Sequence, residues 1–418
     1  MQLRSETMET FQHSGRFHVM ETEKFKDVTC SIRFLGKNEE PFVSMRNLLA
    51  QILVDRSEHY PLKSDIAAVC DSCYGLNVDS KTTAYGKAHG LEFRFKTISD
   101  RYASDRPFEK AVGFIADLLR FPLINEATLS EAKTNVLASL LRYEDNPSQY
   151  AMIQACGLAG ENHSLAVFSQ GKKEVVEAIG VEQLQRYYRD LILNDRFDCF
   201  AVGDFNAMEM IETLRDAFSF LNEHNETDSA YALDSSEFRS GHTQRDIEQT
   251  NLIRLYSIHR DVLDEKYTAH RLAVVMLGQL PNSLLFREVR EARSLCYSIY
   301  SGMVQFDGVV SVSTGIDAQK KDEVERLIEE QIDLLRLGKF EPKLLQTAKD
   351  MMVSSIKSAG DDATSIINFH HQRILTRREE TFDSAIAKIM EVKFDDIPEA
   401  VATWTPIVSY TVGLKEGQ

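Results

Sequence analysis

LFREVREARSLCYSIYS, residues 285–301, decides how the chain is read. Residues 282–295 read as a helix, and residues 296–304 as the strand that leaves it. Working outward, residues 251–260 (NLIRLYSIHR) form a strand and residues 270–280 a helix. Downstream come a strand over 309–315 and helices over 322–337, 342–358 and 363–375. A short helix over 394–404 and a closing strand over 407–414 complete the series.

The first half runs in the same order. Residues 17–36 alternate as one or two strands, with Val28, Cys30 and Ile32 on one face. SMRNLLAQILVD, residues 44–55, is an amphipathic helix with Leu48, Leu49, Ile52 and Leu53 as its apolar stripe and Ser44 as its expected N-cap. A second helix, residues 64–75, ends at Gly75, and strands over 76–85 and 90–97 follow. Helices over 108–119 and 126–143 are separated by Pro122, then come a helix over 181–191 and a strand over 197–205. Ala132-Lys133 recurs as Ala348-Lys349, a shift of 216; Tyr74 matches Tyr297 at 223, and Gly203 matches Gly413 at 210. A repeat this long means duplication of a whole domain, not a solenoid. The expected organisation is a domain over 1–222, a polar linker over 223–246 and a domain over 247–418.

Composition sets outer limits. The chain has 418 residues, 43% of them hydrophobic and 27% charged, with a formal charge of −16. Such an acidic chain repels phosphate backbones and anionic lipid, so neither nucleic acid nor membrane is an expected partner. No apolar run is long enough to span a bilayer, and the opening MQLRSETMETFQ lacks the pattern of a secretory signal. Six scattered cysteines point to free thiols in a reducing cytoplasm.

The duplicated order, with the segments over 285–301 and 121–151, resembles the pitrilysin/insulinase peptidases, the inverted zincins that include the mitochondrial processing peptidases. The resemblance spans nearly the whole chain. It implies an α+β fold of the metallohydrolase-like, LuxS/processing-peptidase type. Each of two homologous domains would be a mostly antiparallel, roughly six-stranded sheet with helices on one side. Active members carry HxxEH on the first helix: two imidazoles at i and i+4 bind zinc, and the carboxylate between them activates water. The matching positions here hold Asn47, Ala50 and Gln51, and the distal Glu position falls on Ser139. No HxxEH or HExxH occurs anywhere in the chain. The resemblance therefore implies a subunit with no catalytic residues, metal or cofactor of its own, zinc belonging to an active partner.

The family's substrate-clasping Arg and Tyr, seven residues apart, match Arg290 and Tyr297. Five guanidinium donors and a phenol suit a peptide carbonyl and the charge that develops on it. The implied function is that of a pseudo-peptidase supporting hydrolysis of a peptide by a zinc-bearing homologous subunit, as a heterodimer, or otherwise acting as a homodimer. A scaffold that keeps only the fold is the alternative, and an independent peptidase with an unrecognised site is the remote one. Residues 77–85 alternate as an edge strand of the kind to which the family's substrates add. The lone Cys70-x-x-Cys73 pair and the His370-His371 pair read as packing residues. His59, beside Glu58 in a loop, has no fixed i, i+4 geometry for metal.

Overall fold

A computed structural model describes residues 11–223, 225–378 and 380–414; the opening residues 1–10, weighed above as a leader, lie outside them. The first half comprises β1 (Gln12–Ser14), β2 (Phe17–Glu21), β3 (Asp27–Lys37), α1 (Phe42–Ile52), α2 (Lys63–Ser72), β4 (Asn77–Tyr85), β5 (Ala88–Ile98), α3 (Pro107–Arg120), α4 (Glu126–Asp145), α5 (Pro147–Ala159), α6 (Lys173–Ala178), α7 (Val181–Asn194), β6 (Arg196–Gly203) and α8 (Ala207–Ala217). Its six strands order as β1-β2-β6-β3-β5-β4, antiparallel except for β2 beside β6. The second half comprises β7 (Arg239–Gln244), β8 (Thr250–Ser257), α9 (Tyr267–Gly278), β9 (Cys296–Val304), β10 (Val309–Ile316), α10 (Lys321–Arg336), α11 (Pro342–Ala359), α12 (Ala363–Leu375), α13 (Phe382–Glu391), α14 (Asp396–Val401) and β11 (Thr405–Gly413). Its five strands order as β7-β11-β8-β10-β9, with β7 parallel to β11. The fold is α+β and mostly antiparallel, as expected.

The period of two along each strand decides the layers. On β6, Phe197, Cys199 and Ala201 join Cys30, Ile32, Phe93 and Phe95 beneath the first half's own helices. Phe200 and Val202 point the other way, and α12, from the second half, covers them with Ile366 and Ile367. The second sheet mirrors this. Leu252, Val310 and Val312 pack under α9 and α10, while Ile253, Leu255, Val408 and Tyr410 are covered by Ala151 and Ala155 of α5, from the first half. Each sheet thus carries its own helices on one face and one borrowed helix on the other.

The repeat has structural content. Lys133 of α4 donates to the carbonyl of Glu177 at 2.8 Å, closing the C-terminus of α6; Lys349 of α11 donates to that of Met390 at 2.9 Å, closing α13. Gly203 and Gly413 end the matching strands β6 and β11. A Cβ there would lie 2.8 Å from the Asp27 carbonyl and 2.4 Å from Thr250 Oγ1, so only glycine fits.

Three local expectations change. Ser44 is not the N-cap of α1, which begins at Phe42; its buried hydroxyl instead accepts from the backbone N–H of Lys172 at 3.1 Å. Residues 239–244, read as part of a linker, form β7 and alternate in burial. The helix expected over 282–295 contains a π-helical stretch, Phe286–Ala292, closed by Ser294 at φ 54°.

The turn between β9 and β10 packs onto the first half, where Phe306 meets Tyr85 edge-on with ring centroids 5.5 Å apart. Asp307 is buried there, and its Oδ1 has no hydrogen-bond partner. Burial raises its pKa to about 6, against a smaller lowering by the Tyr231 hydroxyl. A carboxyl whose folded pKa lies above its unfolded value weakens folding as pH rises through that interval, and the penalty is complete above about pH 6. Asp307→Asn is therefore expected to raise stability by about 1–3 kcal/mol at pH 8 and to have no effect near pH 4, measured by urea unfolding at both pH values.

Candidate functional site

α1 carries three of the positions that the resemblance matched to a zinc motif, Asn47, Ala50 and Gln51. Its apolar side, with Leu48, Leu49 and Ile52, is buried in the first core. Asn47, Ala50 and Gln51 line a cavity of about 430 Å³ together with Ser139 and Asn135 of α4 and Lys81 of β4. The structure thus brings the four positions matched by sequence onto one cavity wall. It adds Asn135, whose Nδ2 lies 3.5 Å from Gln51 Oε1, one helical turn before Ser139. Nothing about an exposed Asn in a polar stretch marks it in the sequence.

The donor set does not fit zinc. Asn47 Oδ1 accepts from Thr82 Oγ1 at 2.7 Å, and its Nδ2 donates to the carbonyls of Val43 and Ser169, both at 2.9 Å. Asn47 thus ties α1 to the edge strand β4 and to the loop at Ser169. His89 Nε2 meets the same Ser169 carbonyl at 2.9 Å, and burial, then the nearby Arg46, lowers the His89 pKa to about 3. Its neutral ring donates there. Lys81 and Arg142 give the cavity wall positive charge where a cation would have to sit. Among the described residues no group of three or more His, Cys, Asp or Glu could hold a metal.

If Asn47 has become a tie, Asn47→Ala should lower stability by about 1–3 kcal/mol in thermal unfolding, since buried partners lose their bonds. Gln51→Ala, at an exposed position, should stay within about 0.5 kcal/mol of the parent.

The edge strand is where the sequence set it. β4 spans Asn77–Tyr85 and pairs only with β5. Ser80, Lys81 and Thr82 of β4 border the cavity, so its open main-chain edge runs beside Asn47 and Gln51.

Arg290 and Tyr297 lie elsewhere. Arg290 ends its helical stretch exposed, with its guanidinium 4.5 Å from the Phe286 ring centroid. Tyr297, at the start of the other edge strand, β9, is 80% exposed. Among the described residues no hydrogen bond or ion pair engages either side chain, and neither lines the Asn47 cavity.

The other sequence candidates are packing groups. Cys70 and Cys73 are free thiols, and burial raises the pKa of Cys70. His59 Nδ1 meets Asp117 Oδ1 at 2.5 Å, with its ring against Phe121. His370 stacks on Phe11, and His371 is buried against Tyr85 and Phe200.

A family model described as the Peptidase M16 inactive domain matches residues 178–352. Over that segment the chain resembles the M16 peptidase family. The match takes in the whole segment over 285–301. The chain is 23% identical to the probable inactive metalloprotease YmfF of Bacillus subtilis, with 93% of each chain covered. A crystal structure of a conserved protein from Enterococcus faecalis V583 matches with a TM-score of 0.88 at 23% identity, covering 96% of this chain and 97% of that one. The peptidase M16 inactive domain from Pseudomonas fluorescens matches with a TM-score of 0.82 at 17% identity, covering 99% of both chains. YmfF, similar over almost its whole length, is itself named as inactive. Among the described residues of this chain, no helix is long and apolar enough to cross a membrane.

Proposed function

We propose that this M16 homologue is a non-catalytic subunit that supports peptide hydrolysis by a separate, zinc-bearing homologous chain. Residues 1–222 and 247–418 would be its two domains, joined through 223–246. It needs no metal of its own; zinc belongs to the partner. Arg290 and Tyr297 would reach the partner's substrate, donating to the scissile carbonyl and to the charge that grows on its oxygen.

One observation carries the reading. A tyrosine 80% exposed, seven positions from an exposed arginine, has no task in the fold of this chain. Tyr300, 53% exposed on the same strand, stands near it, and exposed aromatics that cluster suit a contact surface. The test is to add the purified chain to an HxxEH-bearing M16 subunit from the same organism and follow cleavage of a quenched fluorescent peptide. A several-fold rise that saturates at equal stoichiometry is expected. No rise, and no co-purification, would leave the scaffold reading in its place.

A further inference from the structure

A second cavity, of about 650 Å³, opens in the second half between α9, β9, α11 and α12, with α5 at one side. Its lining is mainly apolar and rich in sulfur: Met152, Met303, Met351 and Met352, with Phe369 and Phe382. Methionine walls adapt to varied side chains, which is why they recur at surfaces that bind many sequences. The single cation of the lining is Arg271, which also lines the adjoining cavity.

Arg271 is the charged group of this lining. Among the described residues no hydrogen bond or ion pair engages its guanidinium, although five donors are available. Glu380, the carboxylate whose field reaches it, is already paired with Lys388 and lies 3.9 Å from Arg378. The Arg271 side chain is reached by solvent, yet enclosure by protein holds its pKa below the ordinary guanidinium range. Its stem runs along the apolar wall while the guanidinium faces the open side of the cavity. An unpaired charge in such a place favours an anion brought by a ligand.

We propose that this cleft takes the C-terminal end of an extended peptide, the last hydrophobic side chain among the methionines and the terminal carboxylate on Arg271. The cleft size suits two or three residues. β9, an edge strand, borders the cleft over Gly302, Met303 and Val304, and every second residue of such an edge turns its main-chain groups outward for a peptide to pair with, which a fatty acid could not use. The inference deepens the peptide-handling reading and rests on it, by adding a site that selects for a free chain end.

The test uses the full chain alone and a fluorescein-labelled octapeptide ending in Val-Leu, as the free acid and as the C-terminal amide. Fluorescence polarisation should show the acid binding at least about 10-fold more tightly than the amide. Arg271→Gln should abolish that preference, and Arg271→Lys, which keeps the charge, should retain part of it. Equal binding of acid and amide, no binding of either, or a preference unchanged in Arg271→Gln would overturn the proposal. So would decanoate displacing the peptide as well as unlabelled peptide does. Because no partner is present, this assay can fail while stimulation of a zinc-bearing subunit persists, and the reverse.

Discussion

With Arg290 replaced by Ala and Tyr297 by Phe, the chain is expected to bind its zinc-bearing partner and no longer stimulate it. Donors aimed at a developing oxyanion are each worth about 10²–10³ in kcat. Losing both should return kcat/KM to that of the partner alone. The fold should not notice: both side chains are exposed and make no hydrogen bond within the described chain, so stability should change by less than about 0.5 kcal/mol. That separation makes the pair informative, because stimulation lost with folding and assembly intact cannot come from a damaged core. Stimulation undiminished in the double variant would remove these two residues from the mechanism.

The largest stability effect should come from the first sheet's other face. Asp198 is fully buried on β6, with Arg196 at 2.8 Å, His18 at 3.0 Å and Arg16 at 3.9 Å. Burial opposes its charge, yet the His18 hydrogen bond and the Arg196 guanidinium win, holding its pKa well below the usual carboxylate range. Asp198→Ala would leave His18 without its acceptor and Arg196 and Arg16 with only the exposed Glu226 as counter-ion, at a cost of about 3 kcal/mol at pH 7. A depressed carboxyl contributes stability above its unfolded pKa, near 4, and loses it as pH falls further. Histidines in the same layer add an earlier loss. Burial first, then neighbouring cations, lowers His370 to about 3 and pulls His371 down as well. The unfolded chain therefore takes up their protons first, starting near pH 6.5. Urea midpoints should show parent and Asp198→Ala far apart at pH 7 and converging below pH 4. A constant separation across that range would mean that the carboxylate's charge is not what stabilises this layer.

Much of this was legible in the chain itself. The Ala-Lys and Gly landmarks of the repeat proved to be helix closures and close strand approaches, features that tolerate little substitution. Asn47, Ala50, Gln51 and Ser139 could be matched because α1 and α4 are regular helices, where spacing translates into a face. What stayed hidden depends on tertiary partners. Seven residues cannot distinguish a π-helical turn from an α-helical one, so Phe286–Ala292 was read as ordinary helix. β7 escaped because RSGHTQ has almost no apolar side chains; its pairing to β11 is main-chain. Asn135 was missed for want of any mark beyond position. Arg271 lies in an apolar helix, and only the surrounding cleft reveals that it is unpaired.

The exchange of covering helices bears on how the molecule is made. The far face of the first sheet, with Phe200 and Val202, waits for α12, whose first residue is Ala363 of a 418-residue chain. On a ribosome that sheet would emerge with one flank bare until α12 follows, about 160 residues after the end of β6 at Gly203. The hazard is blunted by what that flank displays: Arg33, Glu92, Asp198 and His18 stand among its few apolar groups, and charge discourages sticking between nascent chains. The polar layer that appears costly in the finished protein is, during synthesis, its protection.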